Sequence, residues 1–482
     1  MYRHYDNSQQ LMVVLNENAN FPKGSFTRFL NDFIEEQVET EPFELKRKNS
    51  EGGAPAKHVK LMLKIIFYAF SQGVYSMREL ASRYLSDNIH FIYLSAYQSV
   101  DHSTLSRFIN TYLLEIQEIF TKILYVTNNM GYVTKNLVAI DGCKIKANAS
   151  RNFTGNYATF QKRKKTYEKM IANLLERSIR MEENESINNK EKERKNIKRL
   201  KTNYENSLNK IDAFLKDCDN VKKKVNLTDK DSCLLEKDNK YFSGYNCQAA
   251  VNEHGLIAMN TVVNKASERH ITEEMVMAVN KNLMESGLPD TKDINYLMDK
   301  GYHDSEAIGN LTRESFNIFI PFHKRKALDN SKNVASSHCK IWKHESKCFL
   351  ECPGKRIFEQ SKLSYDHGNY FYKFYVTRDG CEGCKHSYKC IDLVKKQKRF
   401  IVKKEVFDNL EELNELKEKM QQSSQKDIYN KRLGVVEPVF GTITEHRRFK
   451  RFLVRGKEKV KTQWSIICSS FNLRRLFSLM YG

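Results

Sequence analysis

NLVAIDGCKIKANA, residues Asn136 to Ala149, carries the pattern around which the rest of the chain is arranged. Four apolar residues, Leu137 to Ile140, lead to a single carboxylate, Asp141, and then Gly142. A short apolar run bounded by a turn signal reads as a buried strand. An acid at its C-terminal end lies at the rim of the sheet, where α/β folds take their ligands. Taken alone, a strand followed by Asp-Gly is more often just a turn, so the meaning of Asp141 depends on the rest of the chain.

Downstream, YNCQAAVNEHGLIAMNTVV alternates, with Tyr245, Cys247, Ala249 and Val251 on one face and Ile257, Met259, Thr261 and Val263 on the next strand. Asn252 to Gly255 turns the chain, so a β-hairpin is predicted. Thr272 opens a helix carrying Met275, Val279 and Leu283, which Gly287 ends. Ile294 to Met298 is a fourth strand with Asp299 at its end, ahead of Lys300 and Gly301; a helix from Ser305 to Leu311 leads to a fifth strand, Asn317 to Pro321. Strand, hairpin, helix, strand, helix, strand is the order of an RNase-H-like fold. There the ends of the first and fourth strands lie side by side, so Asp141 and Asp299 can share divalent metal. Asp229 and Asp231 are rival acids, but no apolar run precedes them, and they read as a polar turn.

The chain has 482 residues, too many for one ordinary core. Its divisions are predicted at 1–130, an all-α helix-turn-helix-like domain; 131–156 and 223–322, two parts of the α/β domain with a mixed five-stranded sheet flanked by helices; 157–222, a helical-hairpin insertion; 323–400, a small cysteine-bearing insertion; and 401–482, the C-terminal part of the α/β domain. In the first division Lys60 to Phe70 suits a buried helix, Ser76 with Glu79 has capping-box form, and Asp101 caps a stripe of Leu105, Phe108, Ile109, Tyr112 and Ile116. A plain helical bundle fits the same spacing. The charge favours DNA docking, with Arg78, Arg83 and Arg107 as phosphate contacts. In the hairpin insertion, sparse apolar residues recur at helical spacing around a polar NESINNK break; a spacer or dimer arm is the favoured role, and a DNA-gripping arm using Lys162 to Lys165 is the alternative.

Lys and Arg number 80 against 59 Asp and Glu, a net charge of +21 that points to a polyanionic partner, most simply nucleic acid. No apolar run is long enough to span a membrane, and MYRHYDNSQQ lacks the apolar stretch of a signal peptide. A cytoplasmic chain whose eleven cysteines stay mostly reduced is expected. Cys352, Cys381, Cys384 and Cys390 then fit a tetrahedral thiolate site for structural Zn²⁺, the alternative being unmetallated thiols in a loop. Tyr370 to Val376 reads as a strand there.

A charged helix from Lys404 to Met420 opens the last division. Glu437 stands among Val435, Val436, Val439 and Phe440, a setting costly for an unpaired charge, and Pro438 places it at a helix start or kink. Arg432, Arg447, Arg448, Lys450, Arg451 and Arg455, interleaved with Phe449 and Phe452, suit a phosphate backbone. Trp464, Ile467, Cys468 and Phe471 make one stripe of a final helix that should pack on the sheet.

LMLKIIFYAFSQGVYSMREL with VDHSTLSRF, AIDGCKIKANASRN, MDKGYHDSEA, and VVEPVFGTI with RGKEKVKTQWSIICSSFNLRRL together resemble the bacterial insertion-sequence transposases of the DDE type. The resemblance implies an RNase-H-like catalytic domain behind a DNA-binding domain, with Asp141, Asp299 and Glu437 as a catalytic triad holding Mg²⁺ or Mn²⁺. It implies binding to double-stranded DNA at the element's terminal repeats, cleavage there and transfer of the 3′-OH strand to target DNA, by a homodimer associated with the nucleoid. Many relatives carry a Tyr-x2-Arg-x3-Glu-x6-Lys signature. Tyr429 and Arg432 match its start as DNA contacts, Glu437 comes one residue late, and Thr444 stands where Lys would fall, leaving Lys450 or Arg447 to substitute and Glu445 as a rival acid. Alternative readings are an RNase-H-like nuclease without strand joining and a catalytically dead, zinc-stabilised DNA-binding protein.

Overall fold

The computed structural model describes residues 20–482 apart from 47–54, 184–189, 219–220, 290, 323–333, 362, 367, 378–380 and 391–396. The opening decapeptide, most of the NSEGGAP loop and the NESINNK break up to Asn189 lie outside the described residues. Helices α1 (Phe26–Gln37), α2 (Val59–Ser71), α3 (Ile89–Leu94), α4 (His102–Thr111) and α5 (Leu113–Asn129) come first, with a short irregular helical stretch from Met77 to Asp87. The predicted caps hold: the Ser76 hydroxyl accepts from the Glu79 amide, and Asp101 Oδ2 accepts from the Ser103 amide at 2.7 Å. The stripe from Leu105 to Ile116 is not one helix. Tyr112, at φ −110° and ψ 47°, leaves helical geometry and divides α4 from α5.

The central sheet holds β1 (Leu137–Lys146), β2 (Cys233–Lys237), β3 (Lys240–Asn252), β4 (Ile257–Val263), β5 (Asn295–Met298) and β6 (Ile318–Phe319). The path runs β2-β3-β1-β5-β6, with β4 also on β3. β1 is antiparallel to β3 and parallel to β5, and β5 is parallel to β6. The five predicted strands are present with a sixth, β2, which the CLLEK sequence did not announce.

Both faces of the sheet are covered, so the Leu137–Ile140 run is buried on both sides, as a near-continuous apolar strand requires. Leu137 and Ala139 face a core shared with α1, α2, α5 and the last helix, α12 (Lys457–Tyr481). Val138 and Ile140 face a second core with α8 (Thr272–Glu285), α9 (Ser305–Arg313) and α10 (Leu410–Lys419). The N-terminal helices therefore continue the core of the sheet. As predicted, α12 lies on the sheet: Trp464 Nε1 donates to the Gln248 carbonyl at 3.1 Å, and the Asn472 amide bonds both backbone groups of Ile257 at 2.8 Å.

The insertion helices α6 (Tyr157–Glu183) and α7 (Lys190–Lys216) pack on each other through Leu174, Met181 and Ile197. The cysteine segment forms two three-stranded antiparallel sheets, β7 (Lys340–His344), β8 (Lys347–Glu351) and β9 (Ile357–Glu359), then β10 (Ser364–Asp366), β11 (Asn369–Thr377) and β12 (Gln397–Lys403). The predicted helix from Lys404 breaks at Asn409, after which α10 begins. Helix α11 (Ser423–Gly441) continues through Pro438, so Glu437 is not at a helix start. Among the described residues no helix is long and apolar enough to cross a membrane.

Candidate active site

Parallel pairing of β1 with β5 ends at Ile140 opposite Met298. The next residue of each strand is an aspartate, so Asp141 and Asp299 leave the pair as neighbours, with strand backbones about 4.8 Å apart. Asp299 stands at the end of its strand as predicted. Asp141 does not: β1 continues to Lys146 along β3, so this acid lies where only the parallel partner has stopped. Each aspartate accepts a nearby amide through Oδ1, Asp141 from Gly142 at 2.8 Å and Asp299 from Gly301 at 2.6 Å.

Arg432 of α11 donates through Nη1 to Asp141 Oδ2 at 3.0 Å, and only 10% of its side chain is exposed. Its Nε is buried without a hydrogen-bond partner. Tyr429, one turn earlier, is half-buried, and burial raises its phenol above the ordinary value. The two residues predicted as DNA contacts thus sit beside the aspartates. Burial pushes the Asp141 carboxyl above its usual range, more than Arg432 and the Gly142 amide pull it down, and the charge of Asp299 adds to the rise.

A third carboxylate, Glu268, escaped sequence reasoning. It lies just before the turn Arg269–Ile271 that leads into α8, and its Oε1 accepts from Asn246 Nδ2 at 3.2 Å. Glu268 Oε1 lies 3.0 Å from where a Cβ on Gly142 would stand, and Oε2 lies 2.9 Å from the corresponding point on Gly301. Burial raises its carboxyl, the Asn246 hydrogen bond opposes this, and Asp299 and Asp141 add to the rise. The one available signal was topological: the segment joining β4 to α8 returns to the sheet end that carries the two aspartates.

Glu437 is not in this group. It is exposed, and among the described residues its side chain has no hydrogen bond or ion pair. Five residues beyond Arg432 is about 140° around the helix axis. Val436 and Val439 occupy the inward face, so the costly apolar setting expected for Glu437 is not met. Glu445 is also exposed and pairs with Lys450 at 2.8 Å.

The basic residues divide. Arg448, Lys450, Arg451, Arg455, Arg78, Arg83 and Arg107 are exposed. Arg451 and Arg455 donate to the loop after β1, at the Ala147 and Asn148 carbonyls. Arg447 turns inward instead, 5.5 Å from the Phe471 ring centre, and burial lowers its pKa to about 10. Asp229 and Asp231 hold the turn before α12 through the Gly456 and Lys457 amides, and the Tyr245 hydroxyl donates to Asp229 at 2.8 Å.

Cys352, Cys381, Cys384 and Cys390 line one cavity of about 10 Å³, together with His386. None is in a disulfide. Among the described residues no group of three or more His, Cys, Asp or Glu side chains is already placed to hold an ion.

A family described as transposase DDE domain matches residues 351–477, and one described as transposase domain (DUF772) matches residues 15–111. Neither match reaches Asp141 or Asp299. No curated protein and no solved structure matches the chain. A transposase domain over the N-terminal helices and a DDE domain running from the end of β8 through α11 and most of α12 indicate an insertion-sequence DDE transposase.

Proposed function

We propose that the chain binds the terminal repeats of its element, cleaves the DNA there and transfers the freed 3′-OH strand to target DNA, with Asp141 and Asp299 as the central acids. The observation that carries this reading is the strand register that sets Asp141 beside Asp299. The strand order supports an RNase-H-like catalytic domain, since the order β4-β3-β1-β5-β6 has an antiparallel hairpin on one side of β1 and parallel strands on the other.

The residues fit a hard divalent cation. Carboxylate oxygens suit Mg²⁺ or Mn²⁺. Gly301 has no side chain, and oxygens of Asp299 and Glu268 converge on the point its Cβ would take. Asp141 and Asp299 would hold the metal, joined by Glu437 if α11 or the Glu437 side chain moves. When bound, such ions activate the attacking oxygen and stabilise the leaving one at phosphorus. The chain's own residues position the DNA. Arg432, paired with Asp141, sets a positive charge beside the acids where a phosphate would approach. The exposed Arg448, Lys450, Arg451 and Arg455 hold the backbone on the same side of the domain as the loop after β1. The cysteine quartet fits a structural Zn²⁺, since four thiols around one water-sized cavity match its donor preference and leave no open position for chemistry. Joining two element ends calls for a second copy of the chain.

The test is strand cleavage and joining on a labelled fragment carrying the element's end, with supercoiled plasmid and Mg²⁺ or Mn²⁺, beside Asp299→Ala. Joined products that vanish in the variant support the reading. Nicking without joining indicates a nuclease, and DNA binding with no metal-dependent chemistry refutes the catalytic assignment.

A further inference from the structure

We infer that Glu268 is a further carboxylate ligand of the metal site, acting with Asp141 and Asp299 from the segment that leads into α8. The inference rests on the proposed metal-dependent reading and adds a residue to it.

The geometry begins with two glycines. Gly142 follows Asp141 on β1, and its backbone pairs with Gln248 on β3. Having no side chain, it leaves room beside Asp141 that the buried Gln248 and Asn246 amides and Glu268 Oε1 fill, the last 3.0 Å from where a Cβ would stand. Gly301 does the same beside Asp299. The point a Gly301 Cβ would occupy is 2.8 Å from Asp299 Oδ1 and 2.9 Å from Glu268 Oε2. Two carboxylate oxygens from separate segments therefore converge on one point that only a glycine leaves without a carbon.

Such an arrangement is unfavourable without a partner. Like charges this close repel, and each is half-buried. Among the described residues neither Asp299 nor Glu268 has an ion pair. Arg432 is engaged with Asp141, and Lys144, whose charge also acts on Glu268, donates to the Glu236 carbonyl. The site thus sets carboxylates that would hold a cation beside a guanidinium already paired with one of them. Asn246 holds Glu268 Oε1, fixing the carboxylate while leaving Oε2 toward that point.

The experiment is Mn²⁺ binding to the full chain without DNA, by calorimetry or by the paramagnetic signal of free Mn²⁺, for wild type, Asp141→Asn and Glu268→Gln. Gln preserves the size of the side chain and an acceptor for Asn246, and circular dichroism checks the fold. Both variants should bind Mn²⁺ at least tenfold more weakly. Metal-free Glu268→Gln should melt no lower than wild type, since one of three facing charges is gone; a merely structural Glu268 would lower the melting point. Loss of binding in Asp141→Asn with wild-type affinity in Glu268→Gln overturns the role of Glu268 and leaves the two-aspartate site standing. Wild-type affinity in both overturns the metal-site reading and this inference with it.

Discussion

Replacing Gly142 by alanine should damage the fold more than the same change at Gly301, although both glycines border the acids. A Cβ at position 142 would stand 2.2 Å from Gln248 Nε2 and 2.7 Å from Asn246 Oδ1. Neither neighbour yields easily. Gln248 and Asn246 are fully buried, and Gln248 Nε2 donates to Asn246 Oδ1 at 2.9 Å. Gln248 Oε1 accepts from the Tyr302 hydroxyl, and its carbonyl accepts from Trp464. Moving the Gln248 amide leaves buried polar groups unsatisfied, at roughly 1–3 kcal/mol for each group. Leaving it in place overpacks the site, at roughly 1–3 kcal/mol. The protein takes the cheaper route, so the expected loss for Gly142→Ala is about 1–3 kcal/mol. At Gly301 the neighbours are the carboxylate ends of Asp299 and Glu268, at 2.8 and 2.9 Å, which shift by a few tenths of an ångström. Stability should then change by less than about 1 kcal/mol, as for a site that can relax, while Mn²⁺ affinity falls. The chain has two tryptophans. In a Trp342→Phe background, urea unfolding followed by Trp464 fluorescence reads the region around Gln248 directly. A Gly142→Ala midpoint equal to wild type, or a larger stability loss in Gly301→Ala, refutes the reasoning.

Gly434 is exposed inside α11 with nothing within 4 Å of its Cβ position, so Gly434→Ala should stabilise the protein by about 0.5–1 kcal/mol in urea unfolding. Because burial raises the Asp141 carboxyl, protons should compete with Mn²⁺ at a pH above the ordinary aspartate range, and binding titrated against pH should show it. The same shift means the metal-free fold binds that proton more tightly than the unfolded chain. Its contribution is present at low pH and lost as pH rises through the folded pKa, a dependence that Asp141→Asn should remove from the pH–stability profile. Cys384→Ser should lower both bound zinc and melting temperature; zinc content and melting equal to wild type would dismiss a thiolate site.

The parts legible in the sequence are those where apolar spacing acts alone. The LVAI run, the hairpin, α8 and α12 follow from period-two and helical patterns that burial enforces. Polar residues inside elements misled in both directions. GCKIK after Asp141 looks like the end of a strand, yet β3 pairs with it throughout, because its Gly142 and Lys144 need only one covered face. Arg447 reads as a phosphate contact, but a guanidinium can lie on an aromatic ring as readily as on a phosphate, and Phe471 is supplied by the next helix, α12, only once the two pack together. Glu437 reads as buried because its sequence neighbours are apolar, whereas helical geometry turns it away from Val436 and Val439. Glu268, in SERH between a strand and a helix, belongs to no periodic pattern; only the tertiary path brings it to the acids.

The register that places the two aspartates is fixed by packing alone. Val138 pairs with Tyr296 and Ile140 with Met298, and all four face the α8 core. Ala139 pairs with Leu297, and both face the core shared with α12. A slip of one residue would set side chains of one core opposite those of the other, which a sheet buried on both faces does not tolerate. The apolar residues of LVAI and NYLM therefore bring Asp141 to Asp299 without any attraction between the acids, and against their mutual repulsion. This predicts that Asp141→Asn and Asp299→Asn leave the sheet register intact and separate chemistry from folding. A polar substitution at Ile140, by contrast, should lose stability and metal binding together, because that side chain secures the last pair before the site.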